Sequence, residues 1–209
     1  PLHWLSLLMK KLLGIVVLIL FTFQVPSQAD DIRDFQIEGM SIGDSLLDHV
    51  NLETIKNSRQ YAYKSDKFYT LDLILDKFTN YFAVQIHLKK DDKKYQIHGL
   101  GGAIKFGEAG IYYPESKKEC KKLMHIIESD IDKIFPNADK QTTGEFVGQG
   151  NYDPKAVRNE IYYTIETGES YLQCTTWGKK AKKKEYIFDS LRVSIMNIEF
   201  SNWLANEAY

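Results

Sequence analysis

The clearest period-two alternation runs through Tyr81–Lys89, where Phe82, Val84, Ile86 and Leu88 share one face of an extended chain. Asp91-Asp92-Lys93-Lys94 then turns the chain back into Tyr95–Leu100, which predicts a hairpin. Shorter strand-like stretches precede it at Phe35–Ile37, Gln60–Lys64 and Phe68–Leu75. The pattern changes after Pro114. Cys120, Leu123, Met124, Ile127, Ile131 and Ile134 recur at helical spacing, predicting a long helix over about 115–135 that Pro136 stops. Three strands are expected at the end, at Asn159–Thr167, Ser170–Trp177 and Glu185–Ile198, with Gly168-Glu169 as a tight turn and a lesser strand at Glu145–Val147. Phe200, Trp203 and Leu204 suit a short C-terminal helix.

Helical segments also open the first half. Ser41 and Asp44 have the spacing of a capping box, ahead of Ile42, Leu46, Leu47 and Val50 on one helical face. Asn51 is placed to cap a further short helix, Leu52–Asn57. Helix followed by antiparallel strands, without strand–helix–strand alternation, is an α+β arrangement. The expected architecture is an antiparallel sheet with one long helix packed on it. Two helix-plus-hairpin halves, 30–110 and 111–209, are possible within a single α+β domain spanning 30–209.

The N-terminus has a different pattern. Lys10 and Lys11 precede an uncharged run over 12–23, and Ser27-Gln28-Ala29 places small residues at −3 and −1 of a cleavage site. That run is shorter than the roughly 20 apolar residues a membrane span needs. It has the length and flanks of a secretory signal peptide, expected over 9–29 with cleavage between Ala29 and Asp30. Residues 1–8 are then upstream read-through. The expected location is periplasmic or secreted.

Composition narrows the function classes. The 209-residue chain is 13% aromatic and carries a net charge of −1. After cleavage it would hold 25 basic against 28 acidic side chains. Such a balance gives no global field for nucleic acid or an anionic membrane. The two cysteines, Cys120 and Cys174, lie on apolar faces of a helix and a strand, so a disulfide is expected in an exported protein. No cofactor or metal is expected.

Candidate chemistry is sparse. Gly43-Asp44-Ser45-Leu46 spells the signature of the GDSL esterases and lipases, whose serine works with a C-terminal Asp-x-x-His. That element is missing here, since no histidine follows His125, and a serine without a base is a weak nucleophile. No catalytic residue is assigned. The glycines between Gly99 and Gly110 run into more strand rather than into a helix N-terminus, which suits bulges better than a phosphate cradle. His87 and His98 are expected opposite one another on the polar face of the hairpin. Lys179, Lys180, Lys182, Lys183 and Lys184 form a basic loop that could touch an acidic partner or make peripheral membrane contact. Tyr112-Tyr113 and Tyr162-Tyr163 each present one ring to either face of an extended chain.

Two stretches, FQIEGMSIGDSLLDHV and YYPESKKECKKLMHIIESDI, resemble small uncharacterised exported proteins of marine alphaproteobacteria of the SAR11 type, a likeness that implies export but no activity. GMSIGDSLLDHV is also similar to a helix opening in the SmpA/OmlA lipoproteins and the β-lactamase inhibitor proteins. That second likeness implies a helix-plus-sheet binding module. The expectation is a non-catalytic periplasmic binding or envelope-associated module, whose partner is an envelope protein or a small ligand. The alternatives are a periplasmic hydrolase with dispersed residues and a carrier of a small apolar ligand.

Overall fold

The computed structural model describes residues 30–108, 115–147, 153–183 and 187–209. The expected signal segment, Tyr112-Tyr113 and Lys184 lie outside them. Eight strands form one antiparallel sheet: β1 (Arg59–Ala62), β2 (Phe68–Leu73), β3 (Ala83–Lys89), β4 (Ile97–Phe106), β5 (Asp139–Val147), β6 (Val157–Ile165), β7 (Gly168–Thr176) and β8 (Asp189–Asn197). Their order is β1-β2-β3-β4-β8-β7-β6-β5, so two four-stranded meanders meet at the β4–β8 ladder. Among the described residues three α-helices accompany the sheet: α1 (Leu52–Asn57), α2 (Ser116–Ile134) and α3 (Ile198–Asn206). The fold class is α+β with an antiparallel sheet.

The alternation read from the sequence sets the two faces of this sheet. Val84, Ile86 and Leu88 are buried on one face with Leu71, Leu73, Leu100, Leu172, Leu191, Val193 and Ile195. Over β5–β8 that face is covered by α2, through Cys120, Met124 and Ile131, and Cys120 is disulfide-bonded to Cys174 on β7. Over β1–β4 the cover is supplied by the later part of the segment from Ile32 to Ile55, whose Ile37, Met40, Ile42 and Leu46 are nearly inaccessible to solvent, while its opening turn Ile32–Asp34 packs on β7 and β8. This segment holds its place partly by backbone bonds to the β4 entry, from Gly43 N–H to Ile97 O and from Ile97 N–H to Asp44 O, both 2.9 Å.

Several expected details differ. The one long helix is only part of the picture, because α3 packs on the opposite face through Phe200 and Trp203 against Phe68 and Met196. Phe35–Ile37 is not a strand. A 3-10 turn at Ile32–Asp34 and a tight turn closed by the Ile37–Met40 bridge replace it. Asp44 does reach back to the Ser41 N–H at 2.8 Å, half of a capping box. The chain nonetheless forms only a 3-10 turn, Leu46–Asp48, capped by Ser45. Gly43 at φ +94° and the bonds to Ile97 and Tyr95 draw the backbone away from a helical path. The helix opening implied by the likeness of GMSIGDSLLDHV is therefore not formed. Asn51 caps α1 as expected, accepting from Thr54 N–H at 2.8 Å. β5 is nine residues long rather than three. The β6–β7 turn is Glu166–Thr167, with Gly168 already in β7. A side chain at 168 would meet Met196 O at 2.2 Å, so the backbones approach there as only glycine allows.

Candidate functional site

Apart from Cys120 and Cys174, which are disulfide-bonded, the residues singled out from the sequence do not form one site. His87 and His98 are not an exposed pair. His87 stands opposite Gly99, and a bulge between His87 and Leu88 takes His98 out of register. The C-terminal helix then covers both. Phe200 stacks on His87 with ring centres 4.4 Å apart, and His98 packs edge-on against Phe68 at 5.1 Å. Burial, with the Arg192 charge adding to it, pushes the His87 pKa down to about 3. Its Nδ1 lies 2.8 Å from Thr70 Oγ1 and 3.2 Å from Tyr63 Oη. His98 is also lowered, by burial first, while Glu199 at 3.7 Å opposes that shift. Glu199 is itself bound by Lys89 at 2.8 Å.

The lysine loop divides as well. Lys179, Lys180 and Lys183 are exposed, but Lys182 is buried and ion-paired with the equally buried Asp189. A short 3-10 turn at Ala181–Lys183 carries it inward. Ser45 Oγ donates to Lys94 O at 2.7 Å and accepts from Leu47 N–H, while His49 pairs with Asp44 at 3.2 Å instead of with Ser45. The GDSL residues are thus committed to turn structure. Tyr162 and Tyr163 do split between the faces, the first exposed and the second buried. Among the described residues no group of three or more His, Cys, Asp or Glu could hold a metal ion, and no helix is long and apolar enough to cross a membrane.

A different site emerges on the face of the sheet opposite α2, beyond the reach of α3. Strand pairing places Asp72, Gln85, Gly101, Ser194 and Tyr171 in one row across β2, β3, β4, β8 and β7. Ala103, Arg192, Gln173 and Glu160 form the next row. At its centre β4 offers only a glycine and an alanine, which leaves a hollow of about 610 Å³ above the sheet. Hydrogen bonds cross its floor. Tyr61 Oη donates to Asp72 at 2.7 Å, Gln85 Nε2 donates to the other Asp72 oxygen at 3.0 Å, and Arg192 donates to Gln85 Oε1 at 3.2 Å. Burial and then the Asp72 hydrogen bond raise the Tyr61 pKa, so it remains a donor at neutral pH.

The rim is aromatic and cationic. Phe82 and Phe188 meet edge-to-face at 5.4 Å, and the Lys105 ammonium lies 4.7 Å from the centre of the Phe82 ring. On the opposite side the Arg59 guanidinium covers Tyr61 at 4.6 Å. Three cations and one carboxylate therefore line the hollow. A second hollow of about 560 Å³, between α1 and β2, adjoins it through Arg59, Asp72 and Ile74.

Apart from Gly101 and Ala103 in the glycine-rich run, none of these residues belongs to a motif that can be read along the chain. The available signals were the single cation inside the apolar run Leu191–Met196 and the side-chain-poor run Gly99–Ala103. Only the strand order makes them neighbours. No protein-family model matches the chain, and no curated protein matches it.

Proposed function

We propose that this chain is an exported, non-catalytic binding module that holds a small ligand on the open face of its sheet. The observation that carries the reading is the hollow over Gly101 and Ala103, with a hydrogen-bonded polar floor and an aromatic, cationic rim. Its volume falls in the range usual for ligand sites, roughly 300–1,000 Å³. The apolar space between α2 and the sheet face it covers, where a carrier of an apolar ligand would need a cavity, is occupied by the disulfide and by Met124 and Ile131. The Cys120–Cys174 bond suits an oxidising compartment. The basic, apolar and small-residue sequence over 10–29 supplies the export route, with cleavage after Ala29.

The test is chemical-shift mapping of the ¹⁵N-labelled protein against a set of small acids, amines and neutral aromatics. Shifts are expected at the amides of Gln85, Gly101, Ala103, Gln173 and Arg192, with α2 silent. Shifts on α2 alone, or none across the set, would sink the reading. Turnover of esters or peptides by the same protein would replace it with the hydrolase alternative.

A further inference from the structure

We infer that the open-face hollow is selective for a small carboxylate attached to a flat aromatic body, with Arg192 as the anion anchor. The inference rests on the binding reading above and specifies its ligand class.

The chain uses lysine for nearly all its positive charge, and only four of its 27 basic residues are arginine. Three of those four, Arg59, Arg158 and Arg192, lie in strands and point to the open face, as their partners Asp72, Thr175 and Ala103 show. Lysine suits a general solvated surface, whereas a planar guanidinium suits directional recognition of a carboxylate. Arg192 stands at the edge of the hollow, and among the described residues its hydrogen bonding is a single bond to Gln85. The remaining N–H groups of its fork are left for a second acceptor. Asp72, whose oxygens accept from Tyr61 and Gln85, makes no hydrogen bond or ion pair with Arg192 among the described residues.

The shape of the floor selects the rest of the ligand. At Gly101 and Ala103 nothing larger than a methyl group rises from β4, so a flat ring can lie over the Arg192–Gln85 bridge that crosses them, between Tyr61 and the Phe82–Phe188 pair. Offset or edge contacts with those rings favour an aromatic body over a branched aliphatic one. A long polyanion is disfavoured. Beyond Arg192 the face presents Glu160, held by Gln173 and by Tyr162 at 2.8 Å, in the path a second anionic group would take.

The experiment titrates the protein with naphthalene-2-carboxylate and with naphthalene-2-carboxamide, its neutral counterpart, reading both heat and open-face amide shifts. The carboxylate is expected to bind at least about tenfold more tightly than the amide, the difference a charge-assisted bidentate pair supplies. Arg192→Met, which keeps an apolar stem, should weaken the carboxylate more than the amide and bring the two affinities together. Ala103→Leu should weaken both by filling the floor. Equal binding of the two compounds at the open face overturns the carboxylate assignment while the binding reading survives. Absence of any open-face response to either compound overturns both, and an unchanged preference in Arg192→Met overturns Arg192 as the anchor.

Discussion

Arg192 on β8 donates to the side-chain oxygen of Gln85 on β3 at 3.2 Å, reaching over the whole of β4. Strands two apart are separated by about 9.5 Å, so the contact needs a long side chain and a low intervening strand. Gly101 and Ala103 provide the low strand. The same poverty of side chains that creates the hollow lets its anion anchor be held by a neutral amide rather than by a carboxylate.

The glycines of β4 serve both faces. On the covered face, a β-carbon at Gly102 would lie 2.4 Å from the Tyr81 ring. Gly102→Ala is therefore expected to cost about 1–3 kcal/mol by overpacking. Urea denaturation would measure it, and Tyr81→Ala in the same chain should give a less than additive loss. An additive result would mean that Tyr81 is not what fills the space.

The Cys120–Cys174 bond closes a 54-residue separation between α2 and β7. Its removal by Cys120→Ala with Cys174→Ala should lower stability by about 4 kcal/mol in the chain-entropy account. The check is comparison of denaturation midpoints for the double variant and the oxidised parent. Equal midpoints would show that α2 is held by its apolar contacts alone.

His87 ties stability to pH. Its folded pKa of about 3 lies below the ordinary 6.5, because burial favours the neutral ring. The unfolded chain therefore binds the extra proton, so this contribution is complete above pH 6.5 and is lost as pH falls towards 3. Between pH 7 and 5 the loss should be about 2 kcal/mol, from a slope of at most about 1.4 kcal/mol per pH unit. His98 acts in the same direction. Urea titrations at both pH values should show a smaller drop for His87→Gln than for the parent. An undiminished drop would place the pH dependence elsewhere.

Lys182 and Asp189 form a buried ion pair, each side chain only 2% exposed, and Asp189 also accepts the Trp177 N–H at 2.8 Å. Lys182→Met should cost about 3–5 kcal/mol, because it leaves a buried carboxylate without its cation. Adding Asp189→Asn should recover part of that loss, as read by thermal or urea denaturation. A cost below about 1 kcal/mol would mean that water reaches Asp189 in the variant.

Much of the architecture was legible because it is periodic. The alternation at Val84, Ile86 and Leu88 gave a strand face, and the stripe from Cys120 to Ile134 gave α2 and the side on which its thiol lies. Where the local code misled, a tertiary contact had overridden it. The Ser41–Asp44 cap formed half of its bonds, yet Ile97 and Tyr95 held the following backbone in a turn. His87 and His98 have a polar strand pattern, but α3 returns from the end of the chain to cover them. Lys182 belongs to a basic run in sequence and to a buried pair in space.

The sequence by itself determined the faces of the strands, the long helix and the apolar face on which each thiol lies, because each follows from residues a few positions apart. Tertiary structure alone decided where the open site lies. Arg59, Asp72, Gln85, Gly101 and Arg192 come from five strands spread over more than 130 positions. Their adjacency depends on β8 pairing with β4 and so joining the two meanders, and no local periodicity encodes that choice. It follows from burying one continuous apolar face beneath α2 and the Ile32–Ile55 segment, which leaves the polar face, apart from the end α3 covers, open to a ligand.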